Sequence, residues 1–179
     1  MAGPRDLTPP WSDPLRLSEL RGPTRRRLTA DAGARERVAR ALDLVELPEL
    51  EADLEAAPWL DGARVSGRWR ARVVQTCGVT LDPFESALSG EFLVRAVPAG
   101  SPHAPTVDTA EVDIDLSSDD PPDVLTDDRV DLAAYVVEHL ALEIDPFPRK
   151  PDAEFEPPPA ERESSPFDVL RGLKDRDGG

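Results

Sequence analysis

The chain has 179 residues, 36 acidic against 21 basic side chains, a formal net charge of −15, 39% hydrophobic residues and 20 prolines. That length suits one domain with extensions and excludes two full domains. Apolar content below the usual ~45%, with proline at about twice the usual ~5%, implies that part of the chain carries no core.

Residues 1–13 are polar and proline-rich and predict a flexible lead-in. Leu15-Arg16-Leu17 alternates apolar and polar side chains and predicts a short strand. Asp31 is placed to N-cap a helix over roughly 32–43, where Val38, Leu42 and Val45 recur at spacings of four and three. After Pro48 the period falls to two: Leu50, Ala52, Leu54 and Ala56 alternate with Glu51, Asp53 and Glu55, as in a strand with one dry and one wet face. Beyond a turn at Asp61-Gly62, Val65, Trp69, Ala71, Val73 and Cys77 share a face with Gly67 and Gln75, while Arg68, Arg70 and Arg72 occupy the other. A run after Pro83 places Phe84, Leu88, Phe92 and Val94 on one parity, and 112–116 (Val-Asp-Ile-Asp-Leu) supplies a fourth. Consecutive strands with short turns predict an antiparallel meander.

Residues 117–128 are acidic and broken by proline, with no apolar period. Asp131 then caps a second helix over 132–144, in which Leu132, Val136, Leu140 and Ile144 recur every four positions. Pro146, Pro148 and Pro151 end it, and an extended acidic tail follows. Ser165 as N-cap, Pro166 at the first position, and Phe167, Leu170 and Leu173 on one side predict a last short helix at about 166–175. The expected class is α+β: an antiparallel β-meander or partly closed β-barrel-like sheet with two helices and an extended Pro-rich C-terminal tail ending in a short helix. Its divisions are 1–13, a domain over 14–145, and the tail 146–179.

The charge is divided unevenly. Residues 1–98 hold 14 basic and 15 acidic side chains, a net of −1, whereas 99–179 hold 7 and 21, a net of −14. A field of that sign repels phosphate, so the C-terminal half is excluded as a basic nucleic-acid surface and favours a basic protein partner. A lone cysteine, Cys77, excludes a disulfide framework and an all-cysteine metal site. The start of the chain lacks the pattern of a signal peptide, and no apolar run approaches the roughly 20 residues that cross a bilayer, so a cytoplasmic protein is expected.

Catalysis finds little support. His103 and His139 are the only histidines, and the first lies in a Ser-Pro-His-Ala-Pro turn. Asp113, Asp115, Asp119, Asp120, Asp123, Asp127 and Asp128 suggest calcium, but the central glycine and terminal glutamate of an EF-hand are missing, and a solvated loop is the simpler reading. Arg68, Arg70 and Arg72, helped by Arg64 and at a distance by Arg25-Arg26-Arg27, form a candidate RNA-contact ladder. The preferred reading of the same arginines is pairing with Glu51, Asp53 and Glu55 on a neighbouring strand, where opposite charges would face each other. Cys77 reads as a small core residue on the inward parity of its strand.

Residues 73–84 (Val-Val-Gln-Thr-Cys-Gly-Val-Thr-Leu-Asp-Pro-Phe), 131–142 (Asp-Leu-Ala-Ala-Tyr-Val-Val-Glu-His-Leu-Ala-Leu), Phe147-Pro148-Arg149 and 165–174 (Ser-Pro-Phe-Asp-Val-Leu-Arg-Gly-Leu-Lys) carry a resemblance. In order and spacing they resemble the YceD family of bacteria and plastids, described as large ribosomal RNA subunit accumulation protein, and the Arg, Ala and Pro usage resembles alphaproteobacterial members. The positions that carry the motif are Gln75, Cys77, Leu81, Pro83, Asp131, Leu132, Glu138, Leu140, Pro148, Pro166, Phe167 and Leu170. The resemblance implies a non-enzymatic role, without cofactor or membrane, in accumulation, processing or assembly of 23S ribosomal RNA and the large subunit. Many members have a second cysteine where Thr80 stands, so a metal site does not carry over to Cys77 alone. The expected partners are precursor 23S RNA, a basic large-subunit ribosomal protein, or both. An acidic chaperone for the basic protein is the first expectation, and direct RNA binding through Arg68, Arg70 and Arg72 the alternative.

Overall fold

A computed structural model of the chain describes residues 9–105 and 120–154. Strand β1 (Pro14–Arg16) is followed by a 3-10 turn, β2 (Thr24–Thr29), helix α1 (Ala32–Ala41), and the long strands β3 (Glu46–Trp59), β4 (Gly62–Thr76) and β5 (Pro83–Pro98). Short β6 (Asp123–Leu125) and β7 (Arg129–Asp131) then lead directly into α2 (Leu132–Glu143). The main sheet has the order β2-β3-β4-β5-β6, and β1 pairs with β7 in a separate two-stranded ladder. β3 to β5 form the expected antiparallel meander, β2 adds to β3 antiparallel after the intervening α1, and the α+β class with two helices holds.

The sheet is open and mixed, not a closed barrel. β6 adds to β5 in parallel, which needs a long crossover, and the 24 residues between Pro98 and Asp123 supply one. Three strands escape the periodicity reading: β2, made of Thr-Arg-Arg-Arg-Leu-Thr, and β6 and β7, three residues each. Residues 117–128, read as devoid of period, therefore contain β6. The alternation recognised at 50–56 lies within the longer β3, whose register shifts between Glu46 and Glu49 and which buries both Ala56 and Ala57. The expected strand at 112–116 and the expected helix at 166–175 lie outside the described residues, as do 1–8.

The core forms where the inner parities of β3 and β4 meet the helices. Leu50, Ala52, Leu54 and Ala56 face inward from β3, and Val65, Trp69, Ala71 and Val73 from β4. Ala34 and Val38 of α1 and Leu132, Val136 and Leu140 of α2 pack over them. Burying each of the larger side chains contributes about 1.5–3 kcal/mol. Glycines set two close approaches. A Cβ at Gly62 would stand 1.9 Å from the Ala96 carbonyl oxygen, and one at Gly90 would stand 2.9 Å from the indole ring of Trp69.

Both helices begin on the predicted aspartates. Asp31 Oδ1 accepts from the Ala34 N–H at 2.7 Å. Asp131 Oδ1 accepts from the N–H of Ala134 (3.2 Å) and also from that of Asp13 (2.9 Å), while the Ser12 hydroxyl donates to its Oδ2. Part of the segment expected to be a free lead-in is thus fastened across 118 residues, and Arg37 Nε further donates to the Pro10 carbonyl.

This difference is measurable. Asp31→Ala removes a cap alone, worth about 1 kcal/mol. Asp131→Ala removes a cap and the anchor of the N-terminal segment, and urea unfolding should show a loss of about 2 kcal/mol or more. Equal losses would mean that the anchor contributes nothing.

Candidate functional site

The outer face of the sheet carries the arginine ladder. The register sets Arg72 opposite Glu49, Arg70 opposite Glu51 and Arg68 opposite Asp53, and sets Arg25 and Arg27 of β2 opposite Glu55 and Asp53. Arg70 reaches Glu49 at 3.2 Å and also Glu51, and Arg72 reaches Glu49 at 3.4 Å and Glu85 at 3.0 Å. The charge of Glu51, then the hydrogen bond to Glu49, raises the Arg70 guanidinium above its ordinary pKa. Arg25 pairs with Glu55 at 3.0 Å, and Arg27 lies 3.8 Å from both Glu51 and Asp53. Pairing therefore holds for Arg70 and Arg72, in part through Glu49 and Glu85, and Glu55 is taken by Arg25. Arg68 makes no ion pair among the described residues, nor does Arg64, which faces Arg95 across the β4–β5 pair. Arg95 in turn lies 5.5 Å over the Trp59 ring.

A groove of about 1100 Å³ crosses this region at Ser66 and Gly67. A Cβ on Gly67 would fall 2.2 Å from Leu54 Cδ2 and 2.9 Å from the Asp53 carbonyl, so glycine permits the close approach of β3 and β4 there. Four arginines and three carboxylates line the groove, leaving a local net of only +1. Between β5 and α2 a second cavity of about 320 Å³ is lined by Asp123, Tyr135, Glu138 and His139. The Tyr135 hydroxyl donates to Asp123 (2.9 Å), and burial, then that hydrogen bond, pushes the phenol well above its ordinary range. Burial, then the Asp123 charge, raises Glu138. His139 stacks on Phe92 at 4.3 Å and donates from Nδ1 to the Tyr135 carbonyl (2.8 Å).

Where β4 and β5 join, sulfur organises the backbone. β4 ends at Thr76, so Cys77 lies one residue beyond the strand. It is fully buried, as expected of a small core residue, but it lies past the end of the strand and outside the main core cluster. Its Sγ accepts from the N–H groups of Val79, Thr80 and Lys150, each at 3.4 Å. The N–H of Gly78 donates to the Pro148 carbonyl (2.9 Å), and Gln75 Nε2 donates to the Asp145 carbonyl (3.0 Å). The turn and the segment after α2 thus form one tip. Foremost the Lys150 N–H, then that of Thr80, lowers the thiol from 9.0 to about 6. The Cys-x-x-Thr spacing in a turn before Asp-Pro was the available signal. Leu81 sits on this tip in the left-handed region (φ 61°), 76% exposed, and Phe147 is 80% exposed.

A family model described as large ribosomal RNA subunit accumulation protein YceD matches residues 65–174, more than half of the chain. The chain belongs to the YceD family. The match begins in β4 and takes in β5, the tip and α2, whereas β1 to β3 and α1 precede it. Among curated proteins and among solved structures, none matches. Of the YceD motif residues, Gln75, Cys77 and Pro148 join at the tip, Leu81 lies in the same turn and Pro83 opens β5. Asp131 caps α2, Leu132 and Leu140 are buried, and Glu138 lines the smaller cavity. Pro166, Phe167 and Leu170 lie outside the described residues. Among the described residues no helix is long and apolar enough to cross a membrane, and no group of three His, Cys, Asp or Glu side chains is set to hold a metal ion.

A depressed thiol pKa stabilises the folded chain only where the thiol is ionised. The contribution is fully present above the unfolded value of 9.0 and is lost as pH falls through about 6. In urea unfolding, the stability advantage of the native chain over Cys77→Ala should grow between these two values and flatten below the lower one. A difference independent of pH would show that the sulfur accepts these bonds as a neutral thiol.

Proposed function

We propose that this YceD-family chain acts in the cytoplasm as a non-enzymatic acidic chaperone. It holds a basic protein of the large ribosomal subunit while the subunit's 23S RNA accumulates. The observation that carries this reading is the commitment of Arg25, Arg27, Arg70 and Arg72 to carboxylates of neighbouring strands. Those pairs cancel the field of the arginine face within a few ångströms, and the −14 of residues 99–179 remains uncompensated. A basic polypeptide is the ligand such a field concentrates.

A second reading, direct contact with precursor RNA, draws on Arg64 and Arg68, which make no ion pair among the described residues and stand on the outer face. The two readings separate in one set of experiments. Purified large-subunit proteins should be captured at about 0.1 M salt, where charges are felt over about 10 Å, and released near 1 M, where that range is about 3 Å. Arg68→Ala, Arg70→Ala and Arg72→Ala together should leave this capture intact. If the triple variant instead loses retained RNA, with the salt slope falling by roughly 0.7–0.9 for each lost phosphate contact, the second reading replaces the first.

A further inference from the structure

The five-stranded sheet has two edges of unlike construction. β2 bounds one side, and Arg25, Arg26 and Arg27 stand in succession along it, the kind of charge that blunts an edge against further pairing. On the other side β6 covers β5 only at 96–98. Among the described residues, the far side of β5 over 83–95 meets no strand and makes no backbone hydrogen bond to a loop. The strand runs against β4 in unbroken register from Pro83 to Ala96, without a bulge. Between Phe84 and Val94 it has no Lys, Arg or Pro. Among the described residues, no lysine, proline, bulge or paired strand closes this edge over 84–94. About half of its residues direct N–H and C=O groups away from β4, in the spacing a further antiparallel strand requires.

We propose that the free edge of β5 receives an extended basic segment of a partner protein as an added strand. This rests on the acidic-chaperone reading and gives it a place on the molecule. Glu85 and Glu91 project from the outer face of β5 on either side of Ala87 and Ser89, and Leu88 and Phe92 point to the inner face, half-buried and buried. Glu91 makes no ion pair among the described residues, while Glu85 already holds Arg72 at 3.0 Å. Residues of an added strand opposite Glu85 and Glu91 are six positions apart, and lysine or arginine is favoured at both. Its other face, lying beside Leu88, is favoured as apolar or β-branched.

Alternative occupants fit less well. A second copy brings another net charge of −15, and the two-fold register centred on Leu88 sets Glu85 opposite Glu91 twice. RNA would bring phosphates to two carboxylates and to carbonyl oxygens.

The test uses the full chain and a synthetic peptide of roughly eleven residues, alternating Val and Thr with two arginines six positions apart, a length typical of longer strands. Adding the peptide at about 0.1 M salt should slow amide hydrogen exchange at alternate residues of 84–94. N-methylation of the peptide amides on its pairing side should abolish binding, whereas N-methylation on the opposite side should leave it intact. Glu85→Lys with Glu91→Lys should weaken binding about tenfold or more. Because methylation alters only the peptide, this arm does not depend on any variant folding. Binding without slowed exchange at 84–94 would overturn the edge proposal and leave the chaperone reading standing. So would failure of the peptide to bind while large-subunit proteins are still captured. Failure of both would remove both. Protection of the same amides in the free chain, as a monomer or as a dimer, would show that the edge is already occupied and would likewise overturn the proposal.

Discussion

The register of β4 between β3 and β5 is the constraint on which the rest of the molecule depends. Side chains alternate along a strand, so a slip of one residue would carry Arg68, Arg70 and Arg72 into the core and expel Trp69, Ala71 and Val73. Two close contacts pin that register: the indole of Trp69 lies on Gly90 of β5, and Gly67 lies on Leu54 and the Asp53 backbone of β3. A side chain at either glycine would meet atoms closer than non-bonded packing allows. Once β4 is fixed, the carboxylates of β3 fall opposite its arginines, and its last residue delivers Cys77 to the turn that joins it to β5.

The energetic weight of the resulting ion pairs and their electrostatic weight are different matters. Exposed pairs of this kind stabilise a fold by about 0–1 kcal/mol each, so the ladder is a minor contributor to stability beside the buried inner face. Its effect on the field is larger. A guanidinium 3.0–3.4 Å from a carboxylate is, to a phosphate beyond the ~8 Å screening length of physiological salt, nearly a dipole. The same residues that look like a basic stripe in a one-dimensional reading therefore present a near-neutral checkerboard in three dimensions, and the acidity of the remaining chain is left to dominate at a distance.

What the sequence revealed followed from which residues had to obey a period. β3, β4 and β5 each have one buried and one wet face, and their alternation was legible; α1 and α2 begin on Asp31 and Asp131, whose capping chemistry is local. β2 was hidden because, at the sheet edge, three consecutive arginines override alternation, and β6 and β7 are too short to display any. Parity assigned Cys77 to the core because it follows Val73 and Gln75 by even steps. Its burial holds, but the strand ends before it, and its sulfur also accepts from backbone N–H groups. Pairing of the arginines was the preferred of two readings, and only register could choose Glu49 and Glu85 as additional partners. Alternation reports faces, never neighbours, so the incomplete covering of β5 was invisible.

That edge, which no strand covers among the described residues, raises a question of self-association, since a long strand with unpaired backbone groups is a template for its own kind. Proteins commonly answer it locally, with lysines, prolines or bulges placed on the edge itself. Here β5 has none of these between Phe84 and Val94, and the protection is global: chains each carrying −15 repel one another before their edges align. Repulsion of that origin is selective by sign. It discourages a second copy of the chain and polyanions, yet lowers the barrier for a cationic segment, so the property that keeps the edge from pairing with itself also determines which foreign strand it admits.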